Sequence, residues 1–252
     1  MRFTVATYNI HKGFAGFMKR VVVHELRERL HGLDADLVFL QEVQGSHERH
    51  AGRYRNWPQK PQHEYIADSN WQEVAYGKNA VYRNGHHGNA LLSRFAIESQ
   101  ENEDISAHPF ESRGMLHCVI NLGPRVPKLH CVNVHLGLFE RARQWQCDAL
   151  CERIRDTVPK GAPLVIAGDF NDWRHKANRA LVKELGVVEV FEAVKGRPAR
   201  TFPSVMPVFR LDRIYARGLK VVEAHVHCAF PAARISDHAA LAATFELTPK
   251  RG

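Results

Sequence analysis

Short runs of β-branched and aromatic residues recur along the chain, each cut off by a glycine, an amide or a charge. They are FTVATYNI (3–10), DLVFLQEV (36–43), LHCVINL (116–122), KLHCVNVHL (128–136) and PLVIAG (163–168). Runs of this length are strands, and one without a polar face is buried on both sides. Helical patterns lie between them. RVVVHELRERLHGL (20–33) places Val23, Leu26, Leu30 and Leu33 on one stripe. FERARQWQCDALCERIRDTV (139–158) repeats Trp145, Ala149, Ile154 and Val158, which makes Trp145 a core residue, and HKANRALVKELG (175–186) stops on a glycine. LDRIYAR (211–217), LKVVEAHVHC (219–228) and AALAATFEL (239–247) add three strands. Hairpin-like pairs at 115–136 and 210–228 argue for α/β layers with mixed sheets, not one parallel sheet. Residues 45–88, basic and rich in His and aromatics, read as a long loop region on one domain.

Each strand candidate runs into a polar residue. Asn9 follows TVATY, Glu42 follows LVFLQ, His135 follows LHCVNV, and Asp169 and Asn171 follow LVIAG; Asp212 and the pair Asp237-His238 stand near the C-terminus. Ligands collect at strand ends, so these residues meet in space although they span the chain. Glu42, Asp237 and the amide oxygen of Asn9 make a hard, oxygen-rich shell suited to Mg²⁺ or Mn²⁺. His238 beside Asp212 makes an oriented base, and His135 and Asn171 offer donors to charge building on a phosphoryl group. Taken singly, Asp169 and Asn171 fit an Asx turn or the cap of the following helix equally well.

In order, TYNIHKG, FLQEV, VNVHL, GDFN, LDRIY and SDHAAL resemble the motifs of the endonuclease/exonuclease/phosphatase superfamily, from Ala6 to about Phe245. The resemblance implies a DNase I-like, four-layered α/β/β/α sandwich with two mixed β-sheets face to face, formed by residues 1–252 as one domain. It also implies roles. Glu42 is the main metal ligand, with Asn9 and Asp237 close by. Asp169 activates or positions the attacking water, Asn171 holds the scissile phosphate, and His238, paired with Asp212, is a base or a phosphate ligand. His135 is the second histidine, found in the DNase I and sphingomyelinase branches. ESRGMLHCVI makes Arg113 a phosphate contact, and GNALLSR makes Asn89 another. The opening is most similar to bacterial members of unassigned substrate.

The formal net charge of +8 suits a polyanionic partner, nucleic acid or an acidic lipid surface. The five cysteines (Cys118, Cys131, Cys147, Cys151 and Cys228) are odd in number and form no C-x-x-C pair, so reduced thiols in the cytoplasm are expected. No apolar stretch approaches the ~20 residues of a membrane span, the N-terminus has no signal-peptide pattern, and no segment signals an obligate protein partner. The expected substrate is a phosphate ester. A nucleic-acid phosphodiester ranks first, a phospholipid or headgroup diester of the sphingomyelinase kind second, and a monoester third. A silent binding protein would have lost metal or base residues, and none is missing. HERH (47–50) and HVH (225–227) read as exposed histidines, and Arg141, Arg143, Arg153 and Arg155 as a solvated face. Tyr54, Trp57 and Trp71 fit either a base-stacking surface or anchors for the loop.

Overall fold

The computed structural model describes residues 1–15, 20–228 and 235–247. Its strands are β1 (Arg2–Asn9), β2 (Phe14–Ala15), β3 (Arg20–Val21), β4 (Leu37–His47), β5 (Glu73–Tyr82), β6 (Gly85–Ser93), β7 (Ala96–Asp104), β8 (Gly114–Asn121), β9 (Leu129–His135), β10 (Leu164–Asp169), β11 (Val188–Glu189), β12 (Asp212–Arg217), β13 (Lys220–His227) and β14 (Ala240–Glu246). The helices are α1 (Val23–His31), α2 (Glu48–Arg53), α3 (Gln62–Ala67), α4 (Glu140–Thr157), α5 (Lys176–Leu185) and α6 (Val190–Lys195). One sheet runs β13-β14-β1-β4-β6-β5 and the other β11-β12-β10-β9-β8-β7. Each is mixed, with a single parallel pair, β1 with β4 and β9 with β10; α1 and α4 are the crossovers that parallel pairing requires.

Strand alternation assigns every side chain to a layer. Phe3, Val5, Leu37 and Phe39 join Leu129, Cys131, Val165 and Ala167 in the core between the sheets. Their neighbours turn outward: Ala6, Tyr8, Val38 and Leu40 pack with Leu26 and Leu30 of α1, and Val132, Val134, Leu164 and Ile166 pack with Leu150, Ile154 and Leu181 of α4 and α5. Helix, sheet, sheet and helix are therefore stacked as four layers, which is why the central strands carry no polar face.

Toward one end the inter-sheet layer turns polar. The Asn133 amide donates to the Leu40 and Ala90 carbonyls (3.0 and 2.8 Å) and its oxygen accepts from Gln41 Nε2 (2.8 Å), which also reaches Thr7 Oγ1 (3.2 Å). All three polar side chains are buried. Asn89 belongs to this network. Its amide donates to the backbone oxygens of Gly114 (2.9 Å) and Asn133 (3.4 Å), so it ties the sheets together.

Several expectations need correction. Residues 45–88 are mostly regular: β4 continues to His47, α2 and α3 follow, and β5 and β6 form an antiparallel pair. Bulges break the period-two pattern in β4 and β5, which hid the strands. Trp57 and Trp71 are buried, and Trp71 Nε1 donates to the Ala35 carbonyl (2.9 Å), so both anchor this region to the body. Trp145 is half exposed, because α4 buries the stripe Cys147, Leu150, Cys151 and Ile154 instead. Arg143 is buried, and His47 and His50 are half-buried and stacked at 3.4 Å. No described helix is long and apolar enough to cross a membrane.

Candidate active site

The alternation that builds the core also aims the polar strand ends. Asn9 continues the inward-facing series Phe3, Val5, Thr7; His135 continues Leu129, Cys131, Asn133; Asp169 continues Val165, Ala167. Asp169 lies opposite His135 on β9 and Asp212 on β12, so three adjacent strands bring these groups side by side. Asp212 opens its strand, and Asp237-His238 precede β14. They arrive at the same edge because β12 and β14 run antiparallel to their neighbours.

Asp169 Oδ2 is the hub. It lies 3.1 Å from Asn9 Nδ2, 3.6 Å from His135 Nε2 and 3.7 Å from His238 Nε2. Its other oxygen accepts from the Asn171 N–H (3.0 Å), an Asx turn that holds Asn171 in a left-handed conformation (φ 48°). The Asn171 amide then donates to the Leu136 carbonyl (2.9 Å). The helix-capping role falls to Asp172, which accepts from the N–H groups of Lys176 (3.1 Å) and Asn178 (3.3 Å). Gly168 (φ 146°) makes the turn possible, since a Cβ there would stand 1.9 Å from the Val134 carbonyl oxygen.

On the far side of His238, Nδ1 donates to Asp212 Oδ2 (2.9 Å), which fixes the tautomer and points Nε2 at Asp169. Asp212 is fully buried, and Asp169, Asp212 and His238 each offer a ligand atom within 4.8 Å of the others. Burial pulls the His238 imidazole down, but Asp212 and Asp169 outweigh it and its pKa stands at about 10. Burial pushes Asp169 up to about 6, with Asp212 adding to the rise and His238 opposing it. Burial, then Arg113 and His238, hold His135 well below its ordinary value, so it is neutral. Two adjacent histidines thus carry different charges.

Glu42 sits at a bulge, where the register of β4 against β6 shifts, in a left-handed conformation (φ 55°). A non-glycine residue held there marks a constrained site. Its carboxylate accepts from Asn9 Nδ2 (3.4 Å) and lies 3.8 Å from Lys12 Nζ. Asp237 instead faces His11 (3.3 Å), which raises the histidine's pKa; burial works against ionisation of Asp237, yet His11 draws its pKa down. His11 and Lys12, both left-handed, are site residues that the sequence reading passed over, although they stand inside TYNIHKG.

A cleft of about 420 Å³ opens over these groups. Glu42, Arg113, His135, Asp169, Asn171 and His238 form its polar floor, while Leu138, Trp173, Phe202, Phe209 and Leu211 form an apolar wall. The wall was also missed, because its residues fall in turns without periodicity. Buried Arg143 braces it, donating to the Gly137 and Leu138 carbonyls and lying 4.7 Å from the Trp173 ring centre. Asn89 does not line the cleft.

The endonuclease/exonuclease/phosphatase family model matches residues 6–238. The uncharacterized protein YbhP of Escherichia coli K12 is 47% identical over 249 residues, covering 97% of this chain and 96% of its own. Among solved structures, an endonuclease/exonuclease/phosphatase from Beutenbergia cavernae (TM-score 0.75, 18% identity, 98% of this chain and 72% of that one) has the same fold. So does a mannosyl-6-phosphatase of Bacteroides thetaiotaomicron (TM-score 0.73, 17% identity, 97% and 100%), as does truncated Caenorhabditis elegans TDP2 (0.68, 20%, 97% and 97%). With the motifs in order, the layers in place and the family model spanning nearly the whole chain, this protein belongs to the endonuclease/exonuclease/phosphatase family.

Proposed function

We propose that the chain, acting as one domain in the cytoplasm, is a Mg²⁺- or Mn²⁺-dependent phosphodiesterase in which water attacks phosphorus in line. The observation that carries this reading is the continuous line Asp212–His238···Asp169···Asn9–Glu42 along the cleft floor. It sets a buried acid–base relay against a set of hard oxygen donors. Glu42 would hold a hard cation through its carboxylate, and Asn9 through Oδ1, the amide oxygen that accepts from the His11 N–H (3.1 Å) while its nitrogen faces Glu42 and Asp169. His238, bonded to Asp212 and protonated at neutral pH, is no ligand. When bound, the cation would neutralise a phosphoryl oxygen and lower the pKa of a water. Asp237, turned toward His11, is at most an outer contributor.

The residues divide the remaining work by charge. Asp169, ionised above about pH 6, takes a proton from the attacking water. His238 acts as an imidazolium, binding a phosphoryl oxygen, so of its two expected roles the phosphate ligand is the better supported. Neutral His135 and the second N–H of Asn171 donate to charge building on the phosphoryl group. Arg113 supplies a further positive group on the cleft floor.

The test is hydrolysis of bis-p-nitrophenyl phosphate beside p-nitrophenyl phosphate with Mg²⁺, Mn²⁺ or EDTA, with Asp169→Ala as control. Turnover of the diester that requires metal and vanishes in the variant is expected. Turnover unaffected by EDTA, or retained by Asp169→Ala, would sink the reading.

A further inference from the structure

Half of the large apolar side chains exposed among the described residues lie on or beside the wall of this one cleft. Phe139 (71% exposed) follows Leu138 in the turn before α4. Phe202 and Phe209 pair as a two-residue bridge, and the turn between them lifts Val205 (70%) and Met206 (71%) into solvent. Phe110 (97%) sits beside Glu111, which is fixed to the 137–139 turn because Gln146 Nε2 donates to Glu111 (2.8 Å) while Gln146 Oε1 accepts from the Gly137 N–H (2.7 Å). Three loops therefore raise an apolar collar around the mouth, a concentration that scattered surface residues do not produce.

Positive charge accompanies the collar. Arg141, Arg200 and Arg174, the last ion-paired with Glu140 (3.0 Å), are exposed within two residues of Phe139, Phe202 and Trp173. On the outer side of the 202–209 hairpin, Pro207 borders a second cleft of about 570 Å³ whose wall carries Lys195, Arg197, Arg200 and His225. Aliphatic tips such as Val205 and Met206 cannot stack on bases or bond to phosphates, so a nucleic-acid groove leaves them in water. A bilayer takes both features at once, apolar tips below the headgroups and arginines among the phosphates.

We propose that this collar docks the cleft on an anionic phospholipid surface and that the phosphodiester hydrolysed is a lipid headgroup. The substrate half rests on the phosphodiesterase reading above. In the reaction, water adds to phosphorus and one P–O ester bond breaks. The departing oxygen takes up a proton, leaving a phosphomonoester and an alcohol.

The experiment compares wild type with a Phe110→Ser/Phe139→Ser/Met206→Ser variant, all three positions being exposed and outside the cleft lining. Cosedimentation with phosphatidylglycerol/phosphatidylethanolamine vesicles is measured beside phosphatidylcholine vesicles, single-stranded DNA, and bis-p-nitrophenyl phosphate turnover. Wild type is expected to bind the anionic vesicles and release phosphate ester from them. The variant should bind them about tenfold or more weakly and lose lipid turnover in proportion, with soluble-diester turnover unchanged. Equal vesicle binding by both proteins would overturn the proposal. So would a collar-dependent dimer on size-exclusion chromatography, or collar-dependent binding to DNA in place of vesicles. If wild type failed on the soluble diester, the hydrolase reading and the substrate assignment would fall together, while sedimentation would still decide the docking.

Discussion

Replacing Asp212 with Asn tests the electrostatics of the site without changing its shape. In the metal-free protein His238 is raised from the ordinary 6.5 to about 10, despite burial, by Asp212 and Asp169. A raised histidine stabilises the fold fully below its unfolded pKa, and that contribution is lost as pH climbs through the folded value. Linkage gives about 4 kcal/mol at pH 7 and about 1 kcal/mol at pH 9. Urea unfolding with EDTA should therefore show wild type losing roughly 2–3 kcal/mol over this interval from His238 alone. The buried cysteines also weaken the fold in alkali, because burial holds Cys118 and Cys147 at about 12 while unfolded thiols ionise. They are common to both proteins and cancel in the comparison.

In Asp212→Asn, burial of His238 is opposed chiefly by Asp169, and most of the slope between pH 7 and 9 should vanish. Imidazole NMR should show the titration moving toward neutrality. The alkaline limb of kcat/KM should follow it, with turnover down about 10²-fold or more. Stability curves that fall in parallel for the two proteins would refute the assignment of His238 as the buried, carboxylate-held imidazolium.

The other predictions probe separate parts of the site. Glu42→Gln should reduce activity by weakening metal binding, so raised Mg²⁺ should recover part of it; equal loss at every Mg²⁺ concentration would remove Glu42 from the ligand set. Gly168→Ala would drive a Cβ against the Val134 carbonyl, separating β9 from β10 where Asp169 meets His135. A lowered Tm together with lost turnover is expected, and a wild-type melt would contradict the close approach. Asn133→Leu should cost about 2–3 kcal/mol, because Gln41 and two carbonyl groups lose a buried partner. Urea unfolding measures it, and a neutral result would mean that the polar layer does not tie the sheets.

Legibility from the sequence follows how each part of the structure is built. The central strands announce themselves because two-sided burial leaves a continuous apolar run, and the residue at which the run stops marks the cleft. Asn9, His135 and Asp169 were visible for that reason, and Asp212 and His238 through their motifs. The 45–88 region was not, since bulges at Glu42, Gly45 and Asn79 interrupt the alternation on which a strand is recognised. Asn89 shows another use of a polar side chain. A polar residue inside a family segment suggests a ligand contact, yet here it satisfies backbone oxygens between two sheets, which an apolar side chain cannot do.

Electrostatic roles and the cleft wall lie beyond any reading of residue types. His135 and His238 stand in equally polar contexts in the sequence, but Asp212 and Asp169 hold His238 charged against its burial, while burial and Arg113 leave His135 neutral. Leu138, Trp173, Phe202 and Phe209 come from three turns and acquire a common purpose only when Arg143 and the 202–209 bridge bring them to one mouth. The strand ends fix what chemistry the floor can perform, and on the lipid-docking proposal these turns select which phosphate ester reaches it. Two chains that share the floor motifs can therefore act on different substrates, and the collar is where this one has to be tested.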